Sequence, residues 1–484
     1  MIRSLLLLVL AISLSKASPS GNPNILILLS DDQRADAFGV AENPHIRTPS
    51  IDALARRGVL FSHAYCMGSY HGAVCAPSRA MLLSGRSLYH VNDALEGIPT
   101  LPQLLRTAGY ESFGTGKWHN GEASFAASFS AGKDVFFGGM SDHTSVPVRD
   151  LRSDGTYSEA AGKGFSSTVF ADAAIDFLKT YASGDQASPF FAYVAFTAPH
   201  DPRTPPADYQ AIYNPEEVSL PQDYMPLHPF HNGWMTGRDE QLAPWPRPPA
   251  VIRSQIAEYY GLISHLDHEI GRIIRCLEEV GLRERTIIVF ASDNGLSLGS
   301  HGLLGKQNLY EHSTRVPLIL AGPGIPAGQT SDALVYLYDV APSLLEMVQL
   351  GVPAGTDGRS LVGVLRGEGA PVRSSLFTSY EVYQRAVRDD RWKLIRYPRL
   401  HYTQLFDLEN DPWELNNLAD SAAHRETVAR MMDLLLQWQR ASDDTLSLTS
   451  CVRDPMEFDP SSFKRSPDRH QPESIIKKYF TPER

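Results

Sequence analysis

Asn24-Ile25-Leu26-Ile27-Leu28-Leu29-Ser30 runs without a break into Asp31-Asp32, and Thr286-Ile287-Ile288-Val289-Phe290-Ala291-Ser292 runs in the same way into Asp293-Asn294. A strand with one wet face alternates apolar and polar residues. These two do not, so both read as strands buried on both faces of a mostly parallel sheet. Two further runs share the pattern. Tyr110 to Gly114 is followed by Gly116-Lys117-Trp118-His119, and Phe190 to Phe196 leads to Ala198-Pro199-His200. Helical periodicity lies between them, at Thr48 to Arg57, Leu101 to Ala108, Thr168 to Thr180 and Gln255 to Glu279. Alternating strands and helices predict an α/β fold, a large mixed and mostly parallel sheet covered by helices on both faces. Ligands of such sheets sit at the carboxyl ends of the strands, where all four polar clusters fall.

The chain of 484 residues is long enough for a large domain and a smaller one. Its net charge of −11 and lack of a basic cluster argue against nucleic acid or an anionic membrane as partner. Arg3, the apolar run Leu5 to Leu14 and the small residue Ala17 read as a signal peptide over residues 1–17, which implies a secreted or periplasmic protein. Residues 18–373 carry the α/β pattern. From 374 to 484 the texture changes to short antiparallel strands (Leu376 to Arg388, Trp392 to Tyr397, Gln404 to Leu408) and an amphipathic helix, Ala422 to Ser442. The stretch after Cys451 is polar and reads as a surface wrap or a fraying end. Four cysteines, Cys66, Cys75, Cys276 and Cys451, are too few for a disulfide framework.

Cys75-Ala76-Pro77-Ser78-Arg79-Ala80-Met81-Leu82-Leu83-Ser84-Gly85-Arg86 has no explanation as a plain helix start. It resembles the signature of the formylglycine-dependent (type I) sulfatases, of the alkaline phosphatase-like superfamily: C-x-P-S-R, then a small residue, Gly and Arg. The resemblance implies that Cys75 is oxidised to formylglycine by a formylglycine-generating enzyme. It also implies that Asp31-Asp32 and Asp293-Asn294 are two halves of one metal site completed by residue 75. Carboxylate and amide oxygens suit Ca²⁺ or Mg²⁺, and the resemblance favours one Ca²⁺ per chain. Lys117 and His119 match the family's G-K-x-H element, and His200 matches a second histidine. Gly305-Lys306-Gln307-Asn308-Leu309-Tyr310-Glu311 with Arg315-Val316-Pro317 matches a G-K-x-x-x-[YF]-E…R-V-P segment that places Lys306 in the site. Trp392 to Ile395 and Leu405 to Leu408 resemble the family's small C-terminal domain.

The implied chemistry is hydrolysis of a sulfate monoester through a covalent sulfoenzyme. Arg79, Lys117 and Lys306 neutralise the sulfate, residue 75 attacks sulfur, His200 protonates the leaving alcohol, and His119 takes a proton from residue 75 on release. Secretion together with this core suggests a sulfated carbohydrate, either a small molecule or an oligosaccharide. A phosphonate or phosphate ester hydrolase of the same fold and a catalytically silent relative are the competing readings. Substrate contacts are expected from His231 and Trp234 in the Pro-, His- and aromatic-rich loop Leu220 to Pro249, from His301, and from Arg385 beside Tyr380 and Tyr383. His265, Asp267, His268 and Glu269 crowd one helix, but Leu262, Ile263, Leu266, Ile270 and Ile273 mark it as a packing helix and not a metal site.

Overall fold

The computed structural model describes residues 21–369 and 371–480. The signal-peptide reading of residues 1–17 lies outside them. Ten strands form the main sheet: β1 (Asn24–Ser30), β2 (Gly58–Phe61), β3 (Glu111–Lys117), β4 (Ala131–Phe136), β5 (Val146–Leu151), β6 (Ala161–Lys163), β7 (Phe190–Ala195), β8 (Thr286–Ser292), β9 (Leu318–Ala321) and β10 (Gln329–Ser331). Their spatial order is β10-β2-β9-β8-β1-β7-β3-β4-β5-β6. The central five, β8, β1, β7, β3 and β4, are parallel neighbours; the flanking pairs β8–β9, β9–β2, β4–β5 and β5–β6 are antiparallel, and the edge strand β10 joins β2 in parallel.

The unbroken apolar runs are explained by what covers them. Alternate residues of β1 enter two separate cores. Ile25, Ile27 and Leu29 pack with Ala80 to Leu83, Leu101 and Leu105 on one face. Leu26 and Leu28 pack with Ile51, Leu54, Phe170, Leu266 and Ile270 on the other. The first face is therefore covered by α2 (Cys75–Ser84) and α3 (Leu101–Thr107), and the second by α1 (Pro49–Arg56), α4 (Ser166–Ser183) and α5 (Pro249–Glu279). The crowded polar stretch of α5 has structural work, as its periodicity predicts. Asp267 accepts from Ser50 N at 3.0 Å and Ile51 N at 2.7 Å and so caps the start of α1. His265 lies 3.3 Å from Glu269 on the same helix.

The C-terminal antiparallel sheet holds Leu376–Tyr380, Gln384–Arg388, Trp392–Tyr397 and Tyr402–Asp407, with α6 (Arg425–Ala441) packed on it. Leu376 to Arg388, read as one strand, is two strands joined by a turn at Glu381–Tyr383. A two-residue strand of the larger part, Gly68–Ser69, extends this sheet in parallel to Leu376–Tyr380. Up to residue 480 the last segment wraps the surface, the first of the two readings of its sequence. Phe458 and Phe463 pack edge-on against Trp245. Asp468 and Gln471 hydrogen-bond Arg238 and Asp201 at 2.7 Å each.

Candidate active site

Strands β1 and β8 are adjacent, parallel and in register, with Ser30 opposite Ser292. The residues that follow are therefore side by side. Asp31, Asp32, Asp293 and Asn294 converge at the carboxyl end of the sheet, each at most 2% exposed. Asp32 has a φ of 67°, which turns the chain sharply out of the strand. Its N–H is 3.2 Å from Asp293 Oδ1, tying the two halves together.

Cys75 opens α2 and points into this cluster. Pro77 is tolerated because the first backbone N–H groups of a helix have no partner within it. Gly85 ends the helix at a φ of 68°, with its N–H bonded to Met81 O at 2.9 Å. The positive end of the helix dipole is thus aimed at residue 75 and whatever anion it meets. Cys75 Sγ, which stands where the nucleophilic oxygen of a modified side chain would act, lies 3.2 Å from Asp31 Oδ1, 3.7 Å from Asp32 Oδ1 and 3.1 Å from Lys306 Nζ.

Arg79 is one helical turn further on and fully buried. Its Nε donates to Asp293 Oδ2 at 2.9 Å and one terminal nitrogen donates to Lys117 O at 2.6 Å. Lys117, the last residue of β3, pairs with Asp31. Lys306 Nζ is 2.5 Å from Asp32 Oδ1. His119 and His200 complete the ring. His200 Nδ1 donates to Asp201 O at 2.8 Å, so Nε2 is the nitrogen left for chemistry, 3.7 Å from Asp32 Oδ2. Gly139 lies flat against the His119 imidazole, where a Cβ would come within 2.9 Å of the ring.

The electrostatics follow from burying so many charges together. Burial opposes ionisation of Asp31, but Lys117, His200, Arg79 and Lys306 hold it far below the usual carboxylate range. Burial pushes Asp32 up to about 8, against the pull of Lys306 and with help from Asp31 and Asp293. Burial and Asp31 also raise Asp293. Burial, aided by Lys117 and Arg79, pushes His119 down to about 2, and burial with Lys306 pushes His200 down to about 3. Once all three carboxylates are ionised, as a bound cation would hold them, they cancel the charge of Arg79, Lys117 and Lys306. A divalent cation would leave the site net positive toward a sulfate.

The residues present fit such a cation. Ligating atoms of Asp31, Asp32, Cys75 and His200 lie within 4.8 Å of one another. Asn294 Oδ1 is buried without a hydrogen-bond partner. Carboxylate and amide oxygens are the donors a hard ion such as Ca²⁺ takes.

A cavity of about 320 Å³ opens above the cluster, reaching Cys75, His119, His200 and Lys306. Trp234, Met140, Arg238, Asp239 and Gln307 form part of its wall. Of the four residues expected to touch substrate, Trp234 is placed here, and among the described residues the other three are not. Arg385 is 4% exposed and its guanidinium is locked to Asp444 at 2.6 and 3.0 Å. His231 faces the chain end, with its N–H on Met456 O and its ring 5.8 Å from Phe458. His301 is buried against Tyr310, His312 and Asp223. Arg385→Ala is therefore expected to leave KM unchanged and to cost about 3–5 kcal/mol of stability, because Asp444 stays buried without its partner. Denaturant unfolding and initial rates check this.

Arg238, Asp239 and Asp201 escaped the sequence reading. Arg238 pairs with Asp201, Asp239 and Asp468. The one available signal was that Asp201 directly follows His200.

The sulfatase family model matches residues 23–350, and the model for the C-terminal region of N-sulphoglucosamine sulphohydrolase matches residues 299–441. An N-acetylglucosamine-6-O-sulfatase of Bacteroides thetaiotaomicron is 29% identical, covering 91% of each chain. A solved structure in complex with its substrate D-glucosamine-2-N,6-O-disulfate aligns with a TM-score of 0.74 at 24% identity, over 88% of this chain and 99% of the other. The phosphonate monoester hydrolase of Agrobacterium radiobacter aligns with a TM-score of 0.66 at 22% identity, over 87% and 96%.

Proposed function

Because the chain belongs to the sulfatase family and is a sulfuric ester hydrolase, we propose that it removes sulfate from a carbohydrate, using formylglycine made from Cys75 as nucleophile. The observation that carries this reading is the position of residue 75, at the start of α2 within 3.1–3.7 Å of Lys306, Asp31 and Asp32. The wall residue Trp234 offers an apolar ring face of the kind sugars stack on, and Gln307 and Asp239 offer hydrogen-bonding groups. The sulfated-sugar names among the relatives support the same class. Secretion or export to a periplasm, and maturation by a formylglycine-generating enzyme, belong to the same proposal.

The mechanism follows from the side chains. Lys306 at the cavity wall, with Arg79 and Lys117 buried behind it, gathers positive charge at the end of the cavity where the sulfate must lie. Bound by Asp31, Asp32, Asp293 and Asn294, a Ca²⁺ ion would add positive charge toward the sulfate and make a nearby hydroxyl more acidic. Hydrated formylglycine carries two hydroxyls on one carbon. One attacks sulfur and gives up its proton to the adjacent Asp32 carboxylate, while the bond from sulfur to the alcohol oxygen breaks and the alcohol takes a proton from His200 Nε2. An anionic sulfate in the cavity favours protonation of that nitrogen. The second hydroxyl then passes its proton to His119, the carbon–oxygen bond to the sulfate breaks, and the aldehyde re-forms as sulfate leaves.

The same cationic cluster could hold a phosphonate, as the structural likeness to a phosphonate monoester hydrolase allows. Comparison of kcat/KM separates the readings. A sulfated monosaccharide and an aryl sulfate should both exceed an aryl phosphonate, and the reverse order would reject the sulfatase assignment for the physiological reaction. His200→Ala should reduce turnover of the sugar sulfate by about 10²–10⁴-fold and of the aryl sulfate far less, because an aryloxide departs without a proton. Equal losses would remove His200 from the acid role.

A further inference from the structure

Away from the sulfate cavity, Asp223, His301 and His312 bring three ligating atoms within 4.8 Å of one another. Asp223 comes from the long loop, and the two histidines come from the segment after β8 on either side of Lys306. All three are more than nine-tenths buried, at 2, 3 and 8% exposure.

Their neighbours fix how the rings are turned. His301 Nε2 is 3.0 Å from the carbonyl oxygen of Glu414, which can only accept, so that nitrogen carries the proton. The ring stacks on Tyr310 with centroids 3.9 Å apart and planes 5° from parallel. His312 Nδ1 is held 2.9 Å from Ser313 Oγ. His301 Nδ1 and His312 Nε2 are left facing each other and Asp223 Oδ2. With neutral rings and the His312 Nδ1 proton donated to Ser313 Oγ, two lone pairs and a carboxylate oxygen look into one point, where a positive charge fits.

A proton on His301 and a metal ion would each supply that charge, and the distances choose between them. Charge-assisted N–H···O⁻ bonds are about 2.7–2.9 Å long. Here His301 Nδ1 lies 3.3 Å from Asp223 Oδ2 and 3.3 Å from His312 Nε2. A tetrahedral ion with arms of about 2.0–2.1 Å separates its ligands by about 3.3–3.4 Å. Asp223 Oδ1, moreover, has no hydrogen-bond partner.

We infer that Asp223, His301 and His312 bind a second metal ion, a tetrahedral transition metal of the zinc class. Its fourth position faces a small cavity lined by Arg34, Asp36, Arg315 and Glu414, open to a water. Two imidazoles and one carboxylate select zinc over calcium, unlike the oxygen donors beneath residue 75. The carboxylates of Asp36 and Glu414 offset the charge of the ion and of Arg34. The ion lies between separate segments of the fold, with three protein ligands and an open fourth position. It would clamp the segment carrying Lys306 to the long loop, next to the C-terminal sheet domain.

Cobalt tests this on the full chain. Co²⁺ in a tetrahedral site gives intense visible absorption, whereas in an oxygen-only octahedral site it is nearly colourless. Wild-type protein equilibrated with Co²⁺ should show the intense bands at one equivalent and lose them when Zn²⁺ is added. His312→Gln should weaken that binding on the order of 100-fold or more, and Asp223→Asn should do the same. Both variants should retain the far-ultraviolet circular dichroism of a folded chain. Absence of tetrahedral bands from folded wild type would overturn the inference without reference to any variant, and so would bands of full strength in folded His312→Gln.

Discussion

Cys75→Ala is expected to abolish turnover of every sulfate ester, a loss on the order of 10⁴-fold or more, while leaving the fold intact. Residue 75 is 2% exposed and heads a helix whose next turns are held by apolar packing of Ala80 to Leu83. A smaller side chain there removes the reacting atom and little else. Cys75→Ser sharpens the point. A serine can attack sulfur once, but it has no second hydroxyl to expel the sulfate, so a single slow turnover at most is expected. Initial rates and a burst measurement check both variants. Multiple turnovers by either one would contradict the role given to residue 75.

The second large effect is expected at Lys306. Its ammonium lies 2.5 Å from Asp32 Oδ1 and 3.1 Å from the reacting atom of residue 75, inside the cavity. Lys306→Met should reduce kcat/KM for an aryl sulfate about 10²–10³-fold, the usual loss when one preorganised charge is taken from a developing anion. Lys117 is buried and paired with Asp31, and Arg79 is tied to Asp293 and to the Lys117 carbonyl. Losses at those two positions will mix catalysis with the cost of unpairing a buried carboxylate. Lys306 also pairs with buried Asp32, but it is the cleaner test because its nitrogen lines the cavity and lies 3.1 Å from residue 75. A change of less than about threefold would exclude direct contact with the sulfate.

The core of the site could be read because its information is local. Two uninterrupted apolar runs ending in Asp31-Asp32 and Asp293-Asn294 imply strands covered on both faces. The pairing of β1 with β8 then needs only their registration to put the four side chains together. The C-x-P-S-R string likewise encodes a helix start and its reactive residue in one stretch. The substrate wall could not be read in this way. Arg385 looked available beside a predicted strand, but its partner Asp444 lies 59 residues further on and packs from another element. Asp201 and Arg238 acquire their setting from Asp468 and Gln471, in a terminal stretch whose polar composition gave no hint of docking. Gly68–Ser69 is too short to show a period, and yet it ties the two sheets' regions together. His301 was attributed to the substrate, but its neighbours are fixed by the fold of three separate segments.

The measurement that bears most directly on this account is mass spectrometry of the peptide containing residue 75, taken on preparations of differing specific activity. The account predicts that the active fraction carries an aldehyde, with sulfur and two hydrogens lost and one oxygen gained, and that activity rises in proportion to that species. Full activity in a preparation whose residue 75 is entirely unmodified cysteine would contradict it.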